Sequence, residues 1–217
     1  MRQKIPAVLA GIALAVAPLI ATSSSALALS PGVAFSANAL PTWQTNGVAW
    51  TMAQSNGVVY AGGTFTQIRP PGTAAGSTQS RNAVNFAAFD AFTGNPTSCA
   101  LSVTGGTGTT VRALAVTPDG SRLYVGGLFG AINGVNTTRI AAVKLPGCTV
   151  DTTFRPAIVS ATVRTIEATN TAVYFGGDFQ TVGSEARSRY AAMDSNGGLL
   201  PWAPAATSSF WAAISQL

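Results

Sequence analysis

Histidine is missing from the 217-residue chain, which removes Ser-His-Asp and Cys-His nucleophile pairs and any His-ligated metal site. Two cysteines are too few for a four-thiolate zinc site or an iron–sulfur cluster. Charge is scarce at 9%, against 47% hydrophobic residues, the reverse of a disordered composition. Neither a D-x-[DN]-x-[DN]-G calcium loop nor a phosphate-cradling G-x-G-x-x-G or G-x-x-x-x-G-K-[ST] turn is present. The sequence therefore assigns no catalytic residue, no cofactor and no metal.

A single long apolar run stands near the start. Arg2 and Lys4 precede 16 apolar residues from Pro6 to Ala21, and Ala26-Leu27-Ala28 follows as a small-x-small cleavage signal. That order is a secretory signal peptide over 1–28, too short for the roughly 20 residues of a membrane span. Its removal leaves ten basic residues against seven acidic ones, and the remaining arginines are spread singly. Nucleic-acid binding needs a clustered basic face, so no nucleic acid is expected, nor any membrane after cleavage.

The rest of the chain recurs on itself. Tyr60-Ala61-Gly62-Gly63-Thr64-Phe65, Tyr124-Val125-Gly126-Gly127-Leu128-Phe129 and Tyr174-Phe175-Gly176-Gly177-Asp178-Phe179 all read Tyr-x-Gly-Gly-x-Phe. Upstream lie Ala49-Trp50-Thr51-Met52, Val111-Arg112-Ala113-Leu114 and Val163-Arg164-Thr165-Ile166; downstream, Arg139 and Arg189 open Ala-rich stretches, with Arg81 taken as their counterpart. Segments over about 47–110, 111–160 and 161–208 follow, with a fourth opening near 209 and a lone strand over 36–46. The first is longer, and the spacing places a six-residue insertion in the Arg69 to Ser80 loop and four more residues between Arg81 and Asp90.

Within each segment, short Val, Leu, Tyr and Phe runs alternate with turn clusters such as Pro118-Asp119-Gly120-Ser121, the pattern of an all-β protein. Val111 to Thr117, Arg122 to Phe129, Arg139 to Leu145 and a short strand ending near Pro156 make four strands, the spacing of a β-propeller blade. Leu123, Tyr124 and Val125 put apolar side chains on both faces, so each sheet expects a neighbour on either side. Tyr60 and Phe65 would face opposite ways at period two unless a bulge at Gly62-Gly63 resets the register. The expected architecture is an incomplete propeller over 29–217: about three four-stranded antiparallel blades and the start of a fourth, part of a longer chain with further blades or domains.

The stretch Tyr124 to Gly134, with Arg139, the Ala-rich strand and Phe154-Arg155-Pro156, resembles the delta-60 repeat family of secreted bacterial β-propeller proteins, and the likeness runs from about Trp43 onwards. The resemblance implies an extracellular protein, often with carbohydrate-binding or immunoglobulin-like modules downstream, and it carries no catalytic residues over. Ala88-Phe89-Asp90-Ala91-Phe92-Thr93-Gly94 is also similar to the A-x-D-x-x-T-G stretch of quinoprotein dehydrogenase propellers, although Lys144 replaces the aspartate in the second segment.

Cys99 and Cys148 follow the third strands of consecutive segments, and in an exported protein they are candidates for a disulfide. Asp178 and Glu185 are the one carboxylate pair in a single segment with a glycosidase-like chance of meeting. Arg139 and Arg189, one per segment, suit strand-bridging hydrogen bonds more than a ligand. The function expected is a secreted, non-catalytic module binding polysaccharide or an extracellular protein, with Trp43, Trp202 and the Arg69 to Ser80 loop as its surface. The alternatives are the front part of a carbohydrate-active or quinone-dependent enzyme, and a structural cell-surface component.

Overall fold

The computed structural model describes residues 41–204, all of it antiparallel β-sheet, turn and loop, with no helix among them. The signal peptide over 1–28, the first half of the strand expected over 36–46 and the fourth segment from 209 lie outside the described residues.

The described end of the strand expected over 36–46 is β1 (Gln44–Thr45), and the first segment supplies β2 (Val48–Ser55), β3 (Val58–Thr64), β4 (Gln67–Arg69), β5 (Arg81–Asn82), β6 (Phe86–Asp90) and β7 (Val103–Thr104). The second supplies β8 (Thr110–Val116), β9 (Arg122–Leu128), β10 (Ala131–Ile132), β11 (Val135–Asn136), β12 (Ile140–Lys144) and β13 (Thr149–Val150). The third supplies β14 (Val163–Ala168), β15 (Ala172–Gly177), β16 (Thr181–Val182), β17 (Glu185–Ala186) and β18 (Tyr190–Asp194).

Three main sheets have the orders β2-β3-β6, β13-β12-β9-β8 and β14-β15-β18. Asn56 and Gly57, both at positive φ, make the tight turn that joins β2 to β3. Four strands were expected in every sheet, yet only the middle one has a fourth, and it is the two-residue β13, ending before Asp151 rather than near Pro156. In the outer two the fourth strand shrinks to the isolated bridges Phe89–Pro96 and Met193–Leu199. Proline explains both: Pro96 has no N–H to extend the ladder, and Pro201 stands just beyond Leu200.

Side by side with each main sheet lies a smaller one that the sequence did not reveal: β1-β4-β5, β11-β10-β7 and β16-β17, the last completed by the bridge Val159–Val182. These hairpins relocate the insertion. Ile68 pairs with Arg81 across a loop running from Arg69 to Ser80, whereas Ile132 pairs with Val135 and Val182 with Glu185 across two-residue turns. The ten residues assigned to those two places therefore sit together in one hairpin loop, with no second insertion between Arg81 and Asp90.

Alternation sends successive side chains of β9 into different cores. Leu123 and Val125 join Tyr60, Phe86 and Val111 between the first and second sheets. Tyr124 joins Val163, Ile166 and Phe175 between the second and third. Close approach depends on the glycine pairs. A Cβ on Gly126 would lie 2.6 Å from Ile166 Cδ1 and 2.7 Å from Val163 Cγ1 of the next sheet, and Gly62 faces Val111 in the same way.

The expected bulge at the glycines is on the opposite strand instead. Register shifts between Ala49 and Thr51, Val111 and Ala113, and Val163 and Thr165. The second glycine of each pair, Gly63, Gly127 or Gly177, makes room for a carbonyl of that bulged strand, from Val48, Thr110 or Thr162. The side chains left out of register are Trp50, Arg112 and Arg164.

Candidate functional site

Trp50, Arg112 and Arg164 stand at matching positions on β2, β8 and β14, the edge strand of each main sheet, and β8 packs beside both of the others. A bulge re-aims the extra side chain away from the ladder, so the three form a row along neighbouring edges. Trp50 is 48% exposed. Its indole N–H donates to Thr64 Oγ1 at 3.0 Å, and Thr64 in turn donates to Thr110 Oγ1 at 3.0 Å, which fixes the ring against the second sheet. The Arg112 guanidinium lies over the indole, 4.0 Å from the ring centre.

Arg164 meets Asp178 at 2.7 to 2.8 Å through Nη2 and Nε. Arg112 has no hydrogen bond among the described residues, and its Nε is buried without an acceptor. Burial and then the like charge of Arg164 hold the Arg112 pKa below its ordinary value, with Asp178 acting the other way; a guanidinium starts so high that Arg112 stays cationic. The row thus holds two guanidinium groups against one carboxylate, with an aromatic plate at its end. In sequence all three residues align as flanks of the Tyr-x-Gly-Gly-x-Phe stretches, and their residue types mark no shared role. Their shared place at a register shift is the signal that singles them out.

The residues selected from sequence are dispersed. Trp43 is half-buried against the cluster of Phe65, Ile68, Ala83 and Ala87, with Arg81 stacked on it at 4.8 Å. Trp202 rests edge-on against Tyr174 and Tyr190, at 5.3 and 6.4 Å between ring centres. Tyr60 and Tyr124 are buried, while Tyr174 is half-buried beneath Trp202; Phe65, Phe129 and Phe179 are all buried. Burial raises the Tyr60 phenol pKa. Cys99 and Cys148 are joined in a disulfide with Cα atoms 5.3 Å apart.

Arg81 is not the counterpart of Arg139 and Arg189. Those two adopt positive φ and receive the N–H of Gly127 and Gly177 on their carbonyls; the residue that does this for Gly63 is Asn85, at φ 61°. Arg81 pairs across a hairpin, where the other segments have Val135 and Glu185. Asp178 is engaged by Arg164, and Glu185 stands exposed on β17. Asp90 caps a turn, its Oδ1 accepting from the amides of Thr93 at 2.7 Å and Phe92 at 3.0 Å, and Asp194 does the same for Asn196 and Gly198. The turn amides, led by those of Thr93 and Gly198, lower both pKa values. The quinoprotein-like stretch around Asp90 thus forms a turn.

Asp151 is the one buried carboxylate among the described residues, 2% exposed, held by Arg122 at 2.8 Å, Lys144 at 3.4 Å and the Thr153 hydroxyl at 2.6 Å. Burial pushes its pKa up, but Thr153, Arg122 and Lys144 outweigh that and the net direction is down. A carboxyl with a depressed folded-state pKa stabilises the protein above its unfolded pKa of about 3.9 and loses that contribution as the pH falls through the folded value. Thermal midpoints measured from pH 6 to pH 2 should therefore fall more steeply for wild type than for Asp151→Asn, the curves converging in acid; parallel curves would refute the assignment.

Cavities lie away from the row. One of about 580 Å³ covers the outer face of the first sheet and is walled by Trp43, Met52, Val59 and Phe89. Two grooves of about 540 and 490 Å³ run beside β12 and β6 at equivalent places, so they reflect the shared architecture. No group of three His, Cys, Asp or Glu side chains placed to hold a metal occurs among the described residues. No protein-family model matches the chain, and no curated protein is found to be similar to it.

Proposed function

We propose that this chain is a secreted, non-catalytic module of β-propeller blades of the delta-60 repeat kind, binding polysaccharide at the edge that carries Trp50. The bladed reading is supported by the two end faces, on which no further sheet packs among the described residues. Met52, 71% exposed, and Val59 lie on one; Tyr174, Gly176 and Trp202 on the other. They are the two halves of the contact already made twice inside the chain, so further blades of the same longer protein would complete them. Export is supported by the Cys99–Cys148 disulfide, which persists in an oxidising compartment.

The observation that carries the binding role is the Trp50 ring, anchored through its N–H and covered on one face by the Arg112 guanidinium, with about half of its surface left exposed. Aromatic plates offer large, rigid contact area at little entropic cost. Against catalysis stand the engagement of Asp178 by Arg164 and the turn-capping role of Asp90. The disulfide-intact chain applied to a glycan array should be retained by at least one polysaccharide, with retention lost in Trp50→Ala. Retention of none would sink the proposal.

A further inference from the structure

We infer that the Trp50–Arg112–Arg164 row is a site for an acidic polysaccharide, a chain of uronic acids, with a sugar ring against Trp50 and a carboxylate on Arg112. The inference rests on the polysaccharide-binding reading and narrows its ligand. A neutral glycan would use the indole alone and leave Arg112 as it is, a cation with no acceptor among the described residues and a buried Nε. An acidic peptide would use the guanidinium and have little call on the indole. A uronate oligomer uses both, placing one pyranose on the apolar plate and the carboxylate of a neighbouring sugar within reach of the planar fork.

The surroundings favour this division of labour. Arg164 already has its carboxylate in Asp178, so the row's unmatched positive charge sits at Arg112, next to the aromatic ring. Trp50 is held by Thr64, which limits the ordering cost of stacking on it. The side chains project from strand edges, so the row is supported by ladder backbone at each point.

Titration calorimetry at low salt would use a short oligogalacturonate, its carboxyl-reduced neutral counterpart and poly-glutamate as probes. Oligogalacturonate should bind the wild-type chain. Arg112→Gln should weaken it about 10-fold or more, the size expected for a lost charge-assisted hydrogen bond, and Trp50→Ala should weaken it comparably. The reduced counterpart should bind at least ~10-fold more weakly and be indifferent to Arg112→Gln. Poly-glutamate should be weak and indifferent to Trp50→Ala. Thermal midpoints check that each variant is folded; should Arg112→Gln not fold, Arg112→Lys, which keeps the charge and loses the fork, should still weaken oligogalacturonate severalfold. Equal binding of the neutral counterpart, or a folded Arg112 variant with unchanged affinity, overturns the acidic ligand while leaving polysaccharide binding intact. Tight poly-glutamate binding that needs Trp50 overturns it in favour of a peptide. Absence of any glycan binding overturns both readings.

Discussion

Removing the Cys99–Cys148 disulfide is expected to lower the thermal midpoint by roughly 10 °C. The two cysteines are 49 residues apart, and closing a loop of that length restricts the unfolded chain by about 4 kcal/mol in the chain-entropy description. For a domain of this size each kcal/mol moves the midpoint by about 2–4 °C. Local packing adds to the effect, because Cys99 is buried beside Leu101 in the core shared by the first and second sheets. The bridge links the loop after β6 to the turn after β12, so it staples those two sheets together and leaves the third to packing and to hydrogen bonds such as those from the Asp119 N–H to Asn170 Oδ1 and from the Arg155 N–H to the Asn196 carbonyl. Reduced wild type and the Cys99→Ala/Cys148→Ala double variant should melt together, and hydrogen exchange should rise in β2, β3 and β6 before it rises in β14 or β15. A drop of under about 2 °C would mean that the unfolded chain is already compact enough for the link to restrict little.

Why the sheets could be read from sequence while the edges could not comes down to which residues the physics constrains by type. A strand covered on both faces must be apolar on both, so Leu123-Tyr124-Val125 announces a buried central strand, and the structure divides those side chains between two cores. The glycine pairs are equally legible because nothing larger fits beneath Val111 or beside the Thr110 carbonyl. The residue before the third strand is constrained by conformation instead: it must adopt positive φ and offer a carbonyl to a glycine. Asn85 does so readily, while Arg139 and Arg189 do so only because the surrounding ladder imposes it. Matching arginine to arginine therefore chose Arg81 and misplaced four inserted residues. Bulged positions are the extreme case, since the extra residue escapes the ladder and carries no rule about its type. Trp50, Arg112 and Arg164 align as flanks of the repeated stretch while nothing in their residue types marks a shared role, whereas Trp43 and Trp202 stand out as aromatics and lie apart from that row, Trp43 half-buried with Arg81 stacked on it and Trp202 exposed but edge-on to Tyr174.

Alanine at Gly127 should cost about 3 kcal/mol, and the same change at Gly126 should cost a comparable amount for a different reason. At Gly127 the new methyl meets the Thr110 carbonyl within the same sheet; that oxygen belongs to the bulged strand and has little freedom to withdraw. At Gly126 it meets Val163 and Ile166 of the neighbouring sheet. The third sheet separates the two effects. Gly177 faces the Thr162 carbonyl much as Gly127 faces Thr110, so Gly177→Ala should match Gly127→Ala. Gly176 has its nearest neighbours among the described residues in Thr165 and Tyr190 of its own sheet, at 3.0 to 3.2 Å, so Gly176→Ala should be milder than Gly126→Ala by about 1–2 kcal/mol. Gly147, with nothing within 4 Å of an added methyl, is the control, and alanine there should be neutral or stabilising by about 0.5 kcal/mol. Denaturant midpoints for the five variants test the set. If Gly176→Ala proves as costly as Gly126→Ala, another sheet covers that face in solution, and the stacking seen twice within the chain continues beyond Tyr174.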